Sequence, residues 1–231
     1  MLSQAAIKNR LDEILARIQK AATNAGRKSK HITLVAITKS FPAELWKCAL
    51  NINITTLGES RIQETKKKSE TFHKRNKIEL HLIGHLQSNK AQKAVELFDV
   101  IQTIDSIKLA IKINKICNKI NKKQNIYLQV NTGEDPKKYG ILEKDIVVAA
   151  QEITRMDNIN LEGIMTIPKN GLTKLETSQA YRKTKKIQEK IRRSINENCK
   201  NISMGMSNDY EVAILEGATH IRIGKGLFGP R

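Results

Sequence analysis

The stretch Ile202-Ser203-Met204-Gly205-Met206-Ser207, followed by Ile221-Arg222-Ile223-Gly224, decides the reading of this chain. Each is a short apolar run that ends in small, hydroxyl or glycine residues. Where strands and helices alternate around a barrel, such strand ends hold phosphate, because hydroxyl and backbone N–H groups converge there. A third run, Ile32-Thr33-Leu34-Val35-Ala36-Ile37-Thr38-Lys39, ends in a lysine.

Working outward, the apolar periodicity predicts the remaining elements. Ile7, Leu11, Ile14, Leu15, Ile18 and Ala22 recur at helical spacing, in a helix that ends near Gly26. Strands are expected at 32–38, 55–57, 80–83, 100–104, 126–130, 161–166, 202–206 and 220–223. Helices fall between them, one opened by Pro42 and another started by the capping-box spacing of Asn208-Asp209-Tyr210-Glu211. Asn131 to Gly140 reads as a polar loop. Eight strands alternating with helices predict an α/β fold, a single-domain (β/α)8 TIM-type barrel over residues 1–231. The chain stops seven residues after Gly224, so the extra N-terminal helix is expected to cover the place of an eighth.

The formal net charge is +18, which raises nucleic-acid binding as a possibility. The lysines scatter rather than form one stripe, and the sparse aromatic residues make a poor stacking platform for single strands. Solvated helix faces are therefore the plainer account, and no nucleic-acid partner is expected. Cys48, Cys117 and Cys199 form no CxxC pair, which suits free thiols in a reducing compartment. No apolar run reaches the length of a membrane span, and the N-terminus does not read as a signal peptide. A cytoplasmic protein is expected, with no membrane partner.

Several residues carry candidate chemistry. Lys39 stands at a strand end, where burial would favour the neutral amine that attacks a carbonyl. A snorkelling lysine is the plain alternative. Ser207 can donate its hydroxyl to a phosphate oxygen or cap a helix. The backbone N–H groups around Gly224 and Lys225 can form an anion-binding concavity, although Gly224-Lys225-Gly226 lacks P-loop spacing. Arg222 lies opposite in phase to Ile221 and Ile223, so it points into the barrel if they face helices. Its acceptor would be a pyridine ring nitrogen or a barrel carboxylate. His81 and His85 sit too far apart in a strand to share a metal, and no metal site is expected. His85 falls at a strand end and can line the mouth. A lysine and a phosphate cradle on one barrel face suggest a phosphorylated aldehyde cofactor held as a Schiff base.

Six segments, in order, carry a resemblance. They are Val35-Ala36-Ile37-Thr38-Lys39, Gly58 to Glu64, His81 to Lys90, Gln129-Val130-Asn131 with Lys138-Tyr139-Gly140, Ser203 to Ser207, and Arg222-Ile223-Gly224 through Gly229. Together the chain resembles the YggS/PROSC family of pyridoxal 5′-phosphate-binding proteins. The resemblance implies a barrel like the alanine racemase N-terminal domain, and pyridoxal 5′-phosphate as cofactor in Schiff-base linkage to Lys39. It further implies Ser207 and the amides of Gly224 and Lys225 on the phosphate, Arg222 near the pyridine nitrogen, and Met204 close to the cofactor. Two positions depart. Ser60 stands where the family usually has Asn, which shortens its reach to the cofactor. Lys225 stands where Thr or Ser is usual, which removes a hydroxyl and adds a cation.

The implied role is non-catalytic: supply and homeostasis of intracellular vitamin B6, with pyridoxal-phosphate-dependent apo-enzymes as recipients and a monomeric state. The competing reading is a racemase or lyase of narrow scope that uses Lys39 as a one-face base.

Overall fold

The computed structural model describes residues 2–133 and 139–230. The strands are β1 (Thr33–Ile37), β2 (Thr56–Glu59), β3 (Glu79–Leu82), β4 (Val100–Ile104), β5 (Gln124–Asn131), β6 (Ile141–Leu142), β7 (Ile159–Thr166), β8 (Asn201–Met206) and β9 (His220–Ile223). The helices are α1 (Gln4–Asn24), α2 (Glu44–Asn51), α3 (Ile62–Thr71), α4 (Ala91–Leu97), α5 (Ile107–Lys119), α6 (Ile146–Thr154), α7 (Lys174–Ser194), α8 (Tyr210–Leu215) and α9 (Lys225–Phe228). The eight longer strands form a closed parallel barrel in the order β4-β3-β2-β1-β9-β8-β7-β5, with β5 pairing back to β4. Each expected strand is present. The two-residue β6 adds to β5 just after the stretch expected as a loop, and α6 follows from Ile146.

Helix α1 starts on the Ser3 hydroxyl, which accepts from the Ala6 N–H at 3.2 Å. It ends before Gly26, whose φ of +64° permits the reversal. Its apolar face buries Ile7, Leu11, Ile14 and Ile18 against α8 and α9. Each such burial contributes about 1.5–3 kcal/mol. The extra helix thus covers the place expected of it.

One core fills the layer between barrel and helices, and a smaller group of Val100, Tyr127, Met165 and Ile167 packs separately. Val35 and Ile37 are in inward phase. Gly58 must be glycine there, since a Cβ would lie 2.5 Å from Ile37 Cδ1. Near the N-terminal ends of the strands the Tyr127 hydroxyl lies 3.3 Å from His220 Nε2. Burial, with His81 beside it, pushes His220 from 6.5 down to about 3. Between those two values the unfolded chain takes up a proton that the folded chain refuses. Stability should therefore fall as pH drops below 6.5, by at most about 1.4 kcal/mol per unit. Urea midpoints at pH 7 and pH 5 test this. His220→Gln should fall less steeply, and an unchanged slope would remove His220 as the cause.

Candidate functional site

The C-terminal ends of the strands surround one mouth. Lys39 lies two residues beyond β1 and is half-buried, less enclosed than the sequence suggested. The residues on either side of it are clamped from behind. The Thr38 hydroxyl donates to Glu59 Oε1 at 2.7 Å, and the Ser40 N–H donates to Glu64 Oε1 at 2.5 Å. Ser40 holds a φ of +64°, a left-handed conformation uncommon outside glycine. Lys68 joins both carboxylates, at 2.7 Å from Glu59 and 2.8 Å from Glu64, and donates to the Thr38 carbonyl at 2.9 Å. Trp46 Nε1 donates to the same Glu59 oxygen at 3.1 Å. Burial pushes Glu64 up, but the hydrogen bonds from Lys68 and Ser40 outweigh it and hold the carboxyl below its ordinary value.

Next around the mouth, Ser60 follows β2 and packs its backbone on Gly84, where a Cβ would lie 2.3 Å from the Ser60 carbonyl oxygen. His85 Nδ1 lies 3.2 Å from Asp105 Oδ2, and its ring stacks on Tyr139 with centroids 3.5 Å apart. Gln129 Nε2 donates to the Tyr139 carbonyl at 3.0 Å and ties that side of the rim to β5. Lys138, part of the expected polar loop, lies outside the described residues. Asn131 is buried, and Gly140 packs on it with a φ of +128°.

Across the mouth from His85 lie the ends of β8 and β9. The Gly226 N–H donates to Ser207 Oγ at 3.3 Å. Ser207 therefore pairs with the turn after β9 and does not cap α8. The expected capping box is not formed either. Asp209 has no side-chain bond to α8 and instead accepts from the Met206 N–H at 2.6 Å, which tightens the turn that carries Ser207. Gly205 has a φ of +91° and lies under α8. Gly224 is buried and Lys225 is exposed. A cavity of about 820 Å³ adjoins this cradle, lined by Met206, Ser207, Lys225, Lys169, Lys174 and Leu215 among others.

Met204 is fully buried in the layer between barrel and helices, out of phase with the inward-facing Ser203. Met206, in the irregular end of β8, lines the cavity beside the cradle.

Arg222 does point inward and is 4% exposed. Nη1 donates to Ser203 Oγ at 2.8 Å and Nη2 donates to the Thr166 carbonyl at 2.9 Å. Among the described residues no carboxylate pairs with it, so the barrel carboxylate considered from the sequence is absent there. Burial pulls its basicity down, against the distant influence of Tyr181 and Asp209. A guanidinium buried on neutral acceptors alone is costly, and an anion or lone pair delivered to the mouth would offset that cost.

His81 lies inside the barrel and His85 on the rim, in different surroundings. The sequence reading missed Lys68, Glu59, Glu64, Gln102 and Asp105. Glu64 and Lys68 stand four apart on one helix face, and Gln102 interrupts an apolar strand; both were available signals.

Among known proteins, the model of the alanine racemase N-terminal domain family matches residues 10–231. The pyridoxal phosphate homeostasis protein of Aquifex aeolicus is 35% identical over 96% of this chain and 97% of its own length. That of Haemophilus influenzae is 31% identical over 97% and 96%. The structure of PipY from Synechococcus elongatus with PLP bound superposes with a TM-score of 0.85 at 29% identity, covering 96% of this chain and all of that one. An alanine racemase from Clostridium difficile shares the fold, with a TM-score of 0.71 at 17% identity over 96% of this chain and 57% of its own. These matches make the chain a member of the pyridoxal phosphate homeostasis proteins, the YggS/PROSC family.

Proposed function

We propose that this chain is a non-catalytic carrier of pyridoxal 5′-phosphate, one barrel domain over residues 1–231 that acts as a monomer in the cytoplasm. The observation that carries the reading is Arg222, a buried cation on neutral acceptors beneath a mouth that also holds Lys39 and the Ser207 cradle. The donor set suits the cofactor. Ser207 and the amides of Gly224 and Lys225 bind its phosphate, Arg222 donates to its ring nitrogen, and Ser60 and His85 line the other side. The exposed Lys225 adds a cation near the phosphate in place of a hydroxyl. When bound, the cofactor supplies an aldehyde that the Lys39 amine takes up as a Schiff base.

The chain's own groups favour holding over turnover. Arg222 donates a hydrogen bond to the ring nitrogen but does not surrender a proton readily, which weakens the ring as an electron sink. The clamp on Thr38 and Ser40 fixes the backbone around Lys39. The relatives named pyridoxal phosphate homeostasis proteins support the same role. Apo-enzymes are the recipients in this reading. No helix among the described residues is long and apolar enough to cross a membrane.

The test is absorbance of the purified protein with added pyridoxal phosphate, then borohydride reduction and peptide mapping. One pyridoxyl adduct per chain, on Lys39 and abolished in Lys39→Ala, is the expected result. No band and no adduct would sink the reading. Amino-acid turnover above that of free cofactor, lost in Lys39→Ala, would favour a racemase or lyase instead.

A further inference from the structure

Barrel interiors are commonly filled by branched apolar side chains. Here a polar chain runs through the interior. Arg222 Nη1 donates to Ser203 Oγ at 2.8 Å. Ser203 Oγ donates to Gln102 Oε1 at 2.7 Å, and Gln102 Nε2 lies 2.6 Å from His81 Nδ1. His81 Nε2 in turn lies 3.1 Å from Glu79 Oε2, whose side chain is 50% exposed at the N-terminal end of β3. Ser203 and Gln102 are fully buried and His81 nearly so.

One arrangement of protons satisfies each hydrogen bond from Arg222 to His81. Arg222 can only donate, so Ser203 accepts from it and spends its own proton on Gln102. The Gln102 amide then donates to His81 Nδ1, which leaves the imidazole proton on Nε2, close to the Glu79 carboxylate but not hydrogen-bonded to it. Every donor points the same way, from the mouth toward the opposite face. Closeness to His81 keeps Glu79 ionised to lower pH than usual, against the effect of burial. A buried polar network is an expensive filling compared with apolar side chains, and here its hydrogen bonds run unbroken from Arg222 to His81 Nδ1. The chain's upper end is Arg222, pinned at both terminal nitrogens, so its remaining N–H groups have fixed directions.

We propose that Ser203, Gln102 and His81 are positioning residues for Arg222, anchored at the far face by Glu79, and that they aim its free donors at the ring of the bound cofactor. This rests on the pyridoxal phosphate reading above. The alternative is that the chain is merely how this barrel fills its interior.

The test titrates full-length wild type, Ser203→Ala, Gln102→Leu and Glu79→Gln with pyridoxal phosphate. It records Kd, the absorbance maximum of the bound cofactor and the pH midpoint of that band, with urea midpoints alongside. Ser203→Ala is expected to weaken binding about tenfold or more, the loss of roughly one charge-assisted hydrogen bond. Its band should shift in wavelength or in pH midpoint. Glu79→Gln lies at a half-exposed position that tolerates change, and should shift the band in the same direction by less. If Gln102→Leu does not fold, those two variants decide. Wild-type Kd and band in both, whatever their urea midpoints, would reduce the chain to packing and overturn the proposal. A wild-type protein with neither band nor Lys39 adduct would overturn the cofactor reading and this inference with it.

Discussion

Lys68→Met is expected to cost about 3–5 kcal/mol of stability, because it strands a buried carboxylate. Glu59 is fully buried, and its second oxygen already lacks a hydrogen-bond partner. With Lys68 gone, its remaining side-chain donors are Thr38 and Trp46, both neutral. Methionine matches the length of the lysine stem, so the loss reports charge and hydrogen bonding rather than a void. For a chain of this size the melting temperature should drop by roughly 6–20 °C. Lys67→Met, one residue away and exposed, is the control and should stay within about 0.5 kcal/mol. Urea and thermal melts of the two variants side by side decide it. Equal losses would mean that the buried cluster contributes nothing special. The same change removes the bond to the Thr38 carbonyl and the cation that joins Glu59 to Glu64, which loosens the clamp on Thr38 and Ser40, so Lys39 should trap cofactor less completely in whatever fraction remains folded.

Gly205→Ala is the second large effect. Two costs coincide there. The φ of +91° is strained for any side chain, and an added Cβ would lie 2.6 Å from Ala213 Cβ and 2.9 Å from Tyr210 Cα. Backbone strain of about 1–3 kcal/mol adds to overpacking of similar size. Gly171 provides the comparison, since it has a φ of +79° but open space around its missing Cβ. Gly171→Ala should cost only the strain. If the two substitutions cost the same in urea denaturation, the close approach of α8 to β8 is not tight. A displaced α8 would also carry the turn holding Ser207 away from Gly226, so pyridoxal phosphate affinity should fall along with stability.

The barrel was legible because its strands are buried on both faces and bounded by turns, which leaves short apolar runs at regular intervals. Arg222 was legible for the same reason, as a charge in phase with the interior. The clamp behind Lys39 was not. Lys68 closes the run Lys66-Lys67-Lys68, and nothing in that composition separates the one buried lysine from its two exposed neighbours. Only the tertiary approach of Glu59 from β2 makes the distinction. The irregular end of β8 was not legible, because strict alternation says which residues share a face but not where a strand becomes irregular. The pairing of β8 with β9 shifts between Ser203 and Met206, and Met206 lines the cavity beside the cradle. Asp209 has the sequence of a helix cap, yet the nearer Met206 amide takes its carboxylate. Leu15 fits the apolar period of α1 but is 45% exposed, at the edge of the stripe.

The barrel seam joins the first strand to the last, with Thr33 beside His220 and Ala36 beside Ile223. During synthesis on the ribosome, β1 and Lys39 emerge early and wait with one edge unpaired until β9 has left the exit tunnel. Arg222, the turn around Gly224 and the partner of Ser207 all arrive in that final stretch. A nascent chain therefore displays Lys39 long before the strand-end cradle exists, and gains the cradle in the same event that closes the ring. Ligand capture should belong to the finished polypeptide, and a chain stalled before β9 should have neither a sealed seam nor a place for the phosphate.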